Sequence, residues 1–285
     1  MAEARALLGR PVALALADRI RERAERFASK AGRPPKLAVL AVDDPAGQSY
    51  LKSLRIASEK AGVLVEEHGI AQSATTESVV AELIKLNEDR AVDGILIQTP
   101  LPKGVGQAAV ARVLDPRKDV DGITPTQAGL LFQGFEAALA PCTARAVMEV
   151  LSFYNYGLMG LEVVVIGRSL VVGRPVAVLA LAQHATVTWC HTRTLSLPAI
   201  CKRAELLIVA VGSPRLVNSN YVRPGATVID VGINFDDQGR MAGDVDSESI
   251  MTVAAAYTPV PGGVGPVTSA CLFANLLDSA SAKAG

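Results

Sequence analysis

The sequence predicts an α/β fold of two domains, each built on a parallel sheet. Short apolar runs such as Lys36–Val42 and Glu162–Ile166 alternate along the chain with stretches whose apolar residues recur at helical spacing. This alternation is typical of parallel sheets, because the crossover between two parallel strands usually contains a helix. The length of 285 residues suffices for two domains with sizeable cores.

A glycine turn in the C-terminal half predicts a dinucleotide site. The β-branched run Val163–Ile166 fits a strand covered on both faces, Gly167 ends it, and Gly173 suits a loop that tightens into a helix. Such a turn offers backbone N–H groups and a positive helix end to a pyrophosphate. The match to G-x-G-x-x-G is imperfect, because Ser169 replaces the second glycine and the last glycine comes one residue late. We predict a Rossmann-type domain here, while this stretch alone also fits an ordinary strand–turn–helix.

Composition predicts a folded cytoplasmic protein. Hydrophobic residues make up 50% of the chain, and Lys+Arg balance Asp+Glu at 28 each. The balance argues against broad electrostatic binding of nucleic acid or an anionic membrane. No apolar run of about 18 residues predicts a transmembrane helix, and the N-terminus lacks the apolar segment of a signal peptide. The four cysteines match no metal-binding template, so we expect buried thiols in a reducing compartment and no metal.

The elements of the N-terminal half follow from apolar spacing and from glycine and proline stops. Helices are predicted at Pro11–Ser29, Gln48–Ala61, Thr76–Asn87 and Thr126–Phe132, and strands at Lys36–Val42, Val63–Ile70 and Gly94–Gln98. In open parallel sheets, ligands bind beyond the carboxyl ends of the strands. Three segments of this kind carry polar residues, namely 43–50, 98–102 and 119–124, and the first of them begins with a predicted turn at Asp43–Gly47.

The C-terminal half repeats the pattern. Strands are predicted at Glu162–Ile166, Thr186–Cys190, Leu206–Val211 and Thr227–Val231, and helices at Ala144–Phe153, Arg174–Gln183, Leu197–Lys202, Ser219–Val222 and Ser269–Ala282. The last helix is expected to return to the first domain. We therefore predict one domain from residues 1–138 and 268–285, a dinucleotide domain from residues 139–267, and a ligand cleft between them.

The residues that follow the glycine turn favour NADP over NAD. In NAD-binding units an acidic residue about 20 positions after the turn holds the ribose 2′-hydroxyl, but no acid occurs from Val176 through Ala204. The second strand ends instead in His191-Thr192-Arg193, and Arg168 and Arg174 lie near the turn. Guanidinium and hydroxyl groups suit a 2′-phosphate, so NADP is the predicted cofactor and NAD the less favoured alternative.

Several sequence strings together resemble the bifunctional methylenetetrahydrofolate dehydrogenase/cyclohydrolase family. They run in the family's order over nearly the whole chain: Pro45-Ala46 with Tyr50, Asp93–Gln98, Pro100–Pro102, Lys118–Gly122, Pro141–Thr143, Val165–Ser169 with Val172, Gly173 and Pro175, Ala185–Thr188 with Cys190 and His191, Val228–Asn234, Gly243–Val245 and Thr258–Pro266. The resemblance implies oxidation of methylene-tetrahydrofolate to methenyl-tetrahydrofolate with NADP, then hydrolysis to formyl-tetrahydrofolate. It also implies a homodimer with the folate held between the two domains.

The resemblance also implies roles for particular residues. Tyr50 would stack on the folate, Gln98 would support the catalytic group and Asp121 would anchor the pteridine, so these three are the predicted catalytic residues. The folate would also lie along Pro261, Gly262 and Gly263. The cofactor would be surrounded by Thr143, Gly167, Arg168, Ser169, Gly173, His191, Thr192, Ile233 and Thr268, with Arg168 and Thr192 at the 2′-phosphate. Taken singly, Tyr50, Gln98 and Asp121 also fit a helix-surface aromatic, a strand-end cap and a turn residue.

One departure from the family bears on the chemistry. The family has a lysine four residues after the tyrosine, where it serves as the principal acid/base of methenyl hydrolysis, but this chain has Leu54, and Gly47 replaces the family's turn serine. Lys52 points away from the face that Tyr50 and position 54 share, and Arg55 stays protonated. Hydride transfer needs mainly proximity, whereas water attack needs proton transfer worth about 10²- to 10⁴-fold. We therefore expect the dehydrogenase to survive and the cyclohydrolase to be strongly reduced.

Smaller departures leave two further hypotheses open. Ala144, Ile123-Thr124, Thr99 and Val267 replace residues usual in the family on the folate side. The chain could act on a related one-carbon carrier, or it could be a silent NADP- or folate-binding protein. An unrelated NADP dehydrogenase would need its own acid or base, and none of the three histidines stands out as a candidate.

Overall fold

The computed structural model describes residues 3–235 and 238–283. Its strands in chain order are β1 Arg5–Ala6, β2 Lys36–Val42, β3 Leu64–Ile70, β4 Gly94–Ile97, β5 Glu162–Ile166, β6 Thr186–Cys190, β7 Leu206–Val209, β8 Thr227–Asp230, β9 Asn234–Phe235, β10 Met241–Ala242 and β11 Ala256–Tyr257. Its α-helices are α1 Gly9–Ala31, α2 Pro45–Ala61, α3 Thr76–Glu88, α4 Gln107–Val113, α5 Pro125–Phe132, α6 Cys142–Phe153, α7 Gly173–Ala182, α8 Leu197–Cys201, α9 Ser247–Ile250 and α10 Gly265–Lys283. Single 3₁₀ turns lie at Pro116–Lys118 and Ser219–Tyr221.

The chain divides into two compact units, which confirms the two-domain α/β fold. The three-stranded unit comprises Ala15–Cys142 and the chain from Ser269 onward, and the six-stranded unit comprises Thr143–Thr268 and the chain up to Leu14. This division differs from the predicted one at the N-terminus, because β1 pairs in parallel with β11. Residues 1–2, 236–237 and 284–285 of the predicted domains lie outside the described residues.

The three-stranded unit is built on a parallel sheet in the order β3-β2-β4. Six of the seven residues of the central strand β2 are buried, which is expected for a strand with a neighbour on each side and helices over its faces. The edge strand β3 is largely half-exposed and carries Glu66, Glu67 and His68. Charged side chains on an edge strand discourage pairing with other chains.

Helix α2 begins earlier than its apolar pattern predicts. Asp44 is its N-cap and accepts a hydrogen bond from the N–H of Gly47 at 2.6 Å, with Pro45 in the first turn. The segment predicted as a turn is therefore the first turn of the helix, in the arrangement that Asp and Pro favour at helix starts. As a result Asp44, Gly47 and Tyr50 lie at one end of a single helix.

The segment from Lys118 to Thr124 is held at both ends by buried polar side chains. The ammonium group of Lys118 donates to the carbonyls of Leu86, Asn87 and Asp89 at 2.7–2.8 Å, which satisfies the end of α3. The carboxylate of Asp119 accepts from the N–H groups of Ile123 and Thr124. Asp119 also bridges Ile95 of β4 in parallel, so this segment continues the sheet beside β4.

The six-stranded unit has the strand order β1-β11-β8-β7-β5-β6, and all pairs of neighbouring strands are parallel. Its strand β5 lies inside the sheet with four of five residues buried, whereas β6 forms one edge and is mostly exposed or half-exposed. The first strand of the glycine-turn motif is therefore anchored in the core of the unit. The antiparallel pair of β9 and β10 and the two-residue strands β1 and β11 were not predicted.

Three observations bear on the function classes considered above. No helix in the described part of the chain is long and apolar enough to cross a membrane. Within residues 3–235 and 238–283, no three His, Cys, Asp or Glu side chains are grouped closely enough to hold a metal ion. The four cysteines are buried thiols.

Candidate active site

A cavity of about 360 Å³ opens in the three-stranded unit, beyond the carboxyl ends of β2 and β4. Its lining residues are Val42, Asp44, Gly47, Tyr50, Leu96, Ile97, Gln98, Thr99, Pro100 and Asp121. This is the edge at which parallel sheets place their ligands. The structure thus brings together Tyr50, Gln98 and Asp121, the three predicted catalytic residues.

The Gln98 side chain is bonded to the backbone of the neighbouring strand end. Its Oε1 accepts the N–H of Val42 at 3.2 Å. A Cβ atom at Gly47 would lie 3.1 Å from the same Oε1 and would overlap the carbonyl oxygen of Val42. Gly47, where the resemblance implies a serine, therefore fits a helix turn that lies against this strand end, and a side chain there would force the helix to shift.

The cavity raises the pKa of both of its predicted titratable residues. Burial raises the pKa of Asp121 to about 6, although hydrogen bonds from Cys142 oppose the rise. Burial, and then the Asp121 carboxylate, raise the pKa of Tyr50 to about 12, although 40% of this residue is exposed. At neutral pH Asp121 is therefore ionised and the Tyr50 phenol is protonated.

Cationic side chains are absent from the described lining of the cavity, which includes the carboxylates of Asp44 and Asp121. Leu54 is 3% exposed and belongs to the core of the unit. Lys52 is exposed, and the Arg55 guanidinium is paired with Glu67 at 2.5 Å on the surface. Neither cation lies in the cavity lining, where the resemblance leads us to expect a lysine at position 54.

Asp44 is a cavity residue that the sequence analysis missed, because the Asp43–Gly47 segment was interpreted as a turn. The available signal was the Asp-Pro pair directly before an amphipathic run, which is a common helix start. Because Asp44 is both the N-cap of α2 and part of the lining, its carboxylate is fixed at the cavity wall.

The predicted glycine turn lies in the six-stranded unit between β5 and α7. Gly167 has φ +133°, and a Cβ there would overlap the carbonyl oxygen of Ala210. A Cβ at Gly173 would in turn overlap the Gly167 carbonyl. The glycine that comes one residue late is therefore the one that lets the start of α7 approach the turn, which is the role of the last glycine in the usual fingerprint.

The Ser169 side chain stabilises the turn through hydrogen bonds to its backbone. Its hydroxyl oxygen accepts the N–H groups of Val172 and Gly173 at 3.1 and 3.3 Å. The Arg174 Nε donates to the carbonyl of Arg168 at 3.2 Å, and both arginines are exposed. The turn therefore presents two guanidinium groups close to a helix N-terminus.

The end of β6 forms a second short turn. His191 Nδ1 accepts the N–H of Arg193 at 3.0 Å, and the His191 N–H donates to the Thr194 hydroxyl at 2.9 Å. Thr192 and Arg193 are exposed. Because this strand end offers hydroxyl and guanidinium groups and no carboxylate, its donor set fits a 2′-phosphate. Together with the close approach at Gly167 and Gly173, these residues fit NADP.

The other predicted residues lie elsewhere in the six-stranded unit. Thr143 is in the first turn of α6, Thr268 is near the start of α10, and Ile233 follows β8 and is 59% exposed. The segment Pro261–Gly263 supports the start of α1, where the N–H of Gly9 donates to the Gly262 carbonyl at 2.8 Å. These residues are not among those that line the cavity of the three-stranded unit.

Two buried aspartates organise the loops after β7 and β8, and the sequence analysis gave them no role. Asp244 is fully buried, and its carboxylate accepts the N–H groups of residues 211–213 at 2.6–3.0 Å and the Asn234 amide at 2.9 Å. Asp230 accepts the N–H groups of Gly232, Asp244 and Val245. Burial raises the pKa of Asp230 to about 6. The sequence did carry a signal for both aspartates, because they lie in the strings Val228–Asn234 and Gly243–Val245 on which the family resemblance rests.

Comparisons with known proteins agree with this geometry. Two family models match, the tetrahydrofolate dehydrogenase/cyclohydrolase catalytic domain over residues 7–121 and the corresponding NAD(P)-binding domain over residues 141–284. A relative named bifunctional protein FolD from Acidiphilium cryptum is 47% identical over 283 residues, with 98% of this chain and 99% of the relative covered. One of the same name from Sorangium cellulosum is 43% identical over 281 residues, 98% of each chain.

Solved structures give the same result. The bifunctional enzyme FolD, a methylenetetrahydrofolate dehydrogenase/cyclohydrolase from Campylobacter jejuni, has a TM-score of 0.95 at 38% identity, with 98% of this chain and 99% of that chain covered. The Trypanosoma brucei methylenetetrahydrofolate dehydrogenase-cyclohydrolase, solved with NADP and an inhibitor, has a TM-score of 0.92 at 34% identity, with 99% of both chains covered.

Proposed function

The chain belongs to the tetrahydrofolate dehydrogenase/cyclohydrolase family, and from this premise we propose that it oxidises 5,10-methylenetetrahydrofolate to 5,10-methenyltetrahydrofolate with NADP and hydrolyses the product poorly. The observation that carries the proposal is the cavity at Tyr50, which is lined by two carboxylates and, among its described residues, by no cation. The two steps of the family's chemistry respond differently to such a cavity.

The oxidation step is favoured by the carboxylates. Loss of hydride from a carbon between two nitrogens leaves a positive charge that the nitrogens share. Asp44 and Asp121 provide fixed negative charge at the cavity wall, and preorganised charge of this kind stabilises a developing cation. In a site with lysine at position 54, part of this stabilisation is cancelled by the ammonium group.

The remaining cavity residues bind and orient the folate. Tyr50 offers a ring on which the pteridine can stack, and Asp121 offers a carboxylate to its N–H donors. Gln98 is fixed by its bond to Val42, so its amide N–H group can face the cavity. These contacts supply the proximity and orientation on which hydride transfer depends.

The cofactor is assigned to the glycine turn of the six-stranded unit. Bound NADP supplies the hydride acceptor. The turn at Gly167, the N-terminus of α7 and Ser169 hold the pyrophosphate, while Arg168 and Thr192 hold the 2′-phosphate. Thr143, Gly173, His191, Ile233 and Thr268 complete the proposed cofactor set.

Hydrolysis lacks a suitable proton carrier. Water attack on the methenyl carbon needs a group that accepts a proton from water near neutral pH. Tyr50, whose pKa is raised to about 12, stays protonated. Asp44 is occupied as the N-cap of α2. Asp121 has a pKa of about 6, which suits a base, but it is assigned to the pteridine as a hydrogen-bond acceptor and also accepts hydrogen bonds from Cys142.

A two-step assay tests the proposal. Purified protein with methylenetetrahydrofolate and NADP is expected to form NADPH and to accumulate the methenyl product, because the second step is slow. Absorbance distinguishes methenyl from formyl product. Hydrolysis that keeps pace with oxidation would show that a group other than a lysine at position 54 carries the second step.

The substitution Leu54→Lys is expected to raise hydrolysis by at least about 100-fold, the lower end of the range typical of general acid–base catalysis. The matched control is Ile56→Lys, which adds a cation to the same helix at a residue that is 50% exposed. An equal response to both substitutions would mean that general electrostatics, and not a group beside Tyr50, limits hydrolysis.

The same measurements address the alternatives. Binding of NADP and folate by calorimetry without turnover would favour a silent binding protein, and turnover only with a modified folate would favour a related one-carbon carrier. We further propose a cytoplasmic homodimer, supported by family membership and by the buried thiols. Light scattering should then give about twice the chain mass of 29.7 kDa.

A further inference from the structure

The single tryptophan of the chain lies beside the glycine turn. Trp189 is on the edge strand β6, is 43% exposed, and is paired with Val165 of β5. Its indole N–H donates to the carbonyl oxygen of Gly167 at 2.5 Å. The indole therefore reaches from the edge strand to the turn that follows the neighbouring strand.

Both polar backbone groups of Gly167 are bound by consecutive residues of β6. The Gly167 N–H donates to the carbonyl of Cys190 at 3.0 Å, and its carbonyl accepts from Trp189. The first bond continues the backbone pattern between β5 and β6. The second comes from a side chain, so it depends on which amino acid occupies position 189.

The direction of the Gly167 carbonyl sets the direction of the next amide. A trans peptide is planar, so its C=O and the following N–H point in opposite directions. By holding the Gly167 carbonyl, the indole fixes the direction of the Arg168 N–H, which points away from Trp189. Amides of such a turn are the groups that bind a pyrophosphate.

We propose that Trp189 is a positioning residue of the dinucleotide site, which acts through the Gly167 carbonyl on the amides of the turn. The inference rests on the proposed NADP site at this turn. Because the pyrophosphate is common to NADP and NAD, Trp189 supports the binding of both nucleotides equally. Arg168 and Thr192, in contrast, discriminate between them at the 2′-phosphate.

Two variants separate the hydrogen bond from the bulk of the ring. Trp189→Phe keeps an aromatic ring but removes the donor. Trp189→3-benzothienylalanine, introduced by nonsense suppression, keeps the fused two-ring shape and replaces the N–H with sulfur. Leu181→Ala is the matched control, because Leu181 is an exposed apolar residue of the same unit, on α7.

Calorimetry with NADP or NAD alone measures the effect. Both Trp189 variants are expected to raise the Kd of each nucleotide by roughly 2- to 13-fold, which corresponds to one hydrogen bond. The ratio of the two Kd values should stay constant, and the control should leave both values unchanged. In turnover assays KM for NADP should rise while kcat at saturating NADP is kept.

Tryptophan emission gives an independent readout in the wild-type protein, because it comes from Trp189 alone. Titration with NADP is expected to change the emission with the Kd that calorimetry gives. Unchanged emission despite calorimetric binding would place the nucleotide away from Trp189 and overturn the inference.

Three further outcomes of the binding experiments would overturn the inference. Wild-type affinity in the benzothienyl variant would show that ring bulk suffices, and a changed Kd ratio would place the effect at the 2′-phosphate; either overturns the inference. Wild-type protein that binds no nucleotide overturns it as well. The binding experiments need no folate, so they are independent of the turnover assay. If the protein bound NADP in a Trp189-dependent way but did not oxidise the folate, the proposed function would be contradicted and this inference would be supported.

Discussion

At the scale of single residues, the chemistry of the cavity depends on charge. With leucine at position 54 the described lining contains the carboxylates of Asp44 and Asp121 without a compensating cation. The reaction that the cavity is proposed to catalyse creates a positive charge. Leu54, which removes a group expected to help hydrolysis, can therefore favour oxidation. The cavity should also bind the methenyl cation more tightly than its neutral precursor.

Asp121 allows a prediction about pH. Its pKa of about 6 lies above the ordinary value, so lowering the pH through 6 protonates it and removes the charged acceptor for the pteridine. We expect kcat/KM for the folate to fall as the pH drops from 7 to 5. Asp121→Asn should lower kcat/KM at pH 7 by roughly 10- to 100-fold, as for a hydrogen bond to a charged group, and should remove this inflection.

The control is Asp18→Asn, since the Asp18 side chain is 73% exposed. It should leave the profile of kcat/KM against pH as in the wild-type protein. A persistent inflection near pH 6 in the Asp121→Asn protein would assign the titration to another group.

The residue scale also shows what sequence reasoning can recover. Tyr50, Gln98 and Asp121 were predicted to meet because each follows a strand or starts a helix at the same edge of a parallel sheet, and they do line one cavity. Asp44 and Trp189 were missed. The roles of both residues depend on partners that only the folded chain supplies. Asp44 caps the N-terminus of α2, and Trp189 of β6 donates to the carbonyl of Gly167 in the turn after β5.

At the scale of elements, the longer strands were the most predictable features. The bounds of β2, β5 and β6 are those predicted. Helix starts were less predictable, because capping and proline extend a helix beyond its apolar pattern, as in α2. The two-residue strands β1 and β11 are too short to show a period, so their pairing follows from tertiary contact alone.

The junction of β5 and α7 carries a prediction at this scale. Gly173→Ala would place a Cβ on the Gly167 carbonyl. The start of α7 must then move away from the turn, at a cost of about 1–3 kcal/mol in the free energy of unfolding, typical of overpacking. Urea titration should measure the loss, and the Kd for NADP should rise because the helix N-terminus is displaced.

Gly157→Ala is the control for this junction. Gly157 is in the same unit and is exposed, and a Cβ there would meet no atom within 4 Å. Its effect should stay within about 0.5 kcal/mol. Equal stability of the two variants would mean that the turn and the helix do not need their close approach.

At the scale of the whole molecule, two chemical tasks are assigned to two compact units. The three-stranded unit carries the cavity with its carboxylates, and the six-stranded unit carries the glycine turn with its exposed arginines. Each has its own buried core. The formal net charge of zero, which is an average over the whole chain, therefore describes neither site.

This separation predicts where a fragment of the cofactor protects the backbone. Adenosine 2′,5′-bisphosphate carries the 2′-phosphate but lacks the nicotinamide, so it should bind to the six-stranded unit alone. In hydrogen exchange we expect slower exchange at residues 167–174 and 190–194 and no change at residues 44–50 and 96–100, which line the cavity or flank its lining residues. A bound ligand at 100 times its Kd adds about 2.7 kcal/mol of stability, so the slowing should be readily measured.

Adenosine 5′-monophosphate, which lacks the 2′-phosphate, is the matched control and should protect the same segments more weakly. Equal protection by the two compounds would argue against Arg168 and Thr192 as a 2′-phosphate site and would favour NAD. Protection at residues 44–50 by the bisphosphate would contradict the assignment of the nucleotide to the glycine turn, because the cavity carboxylates there repel an anion.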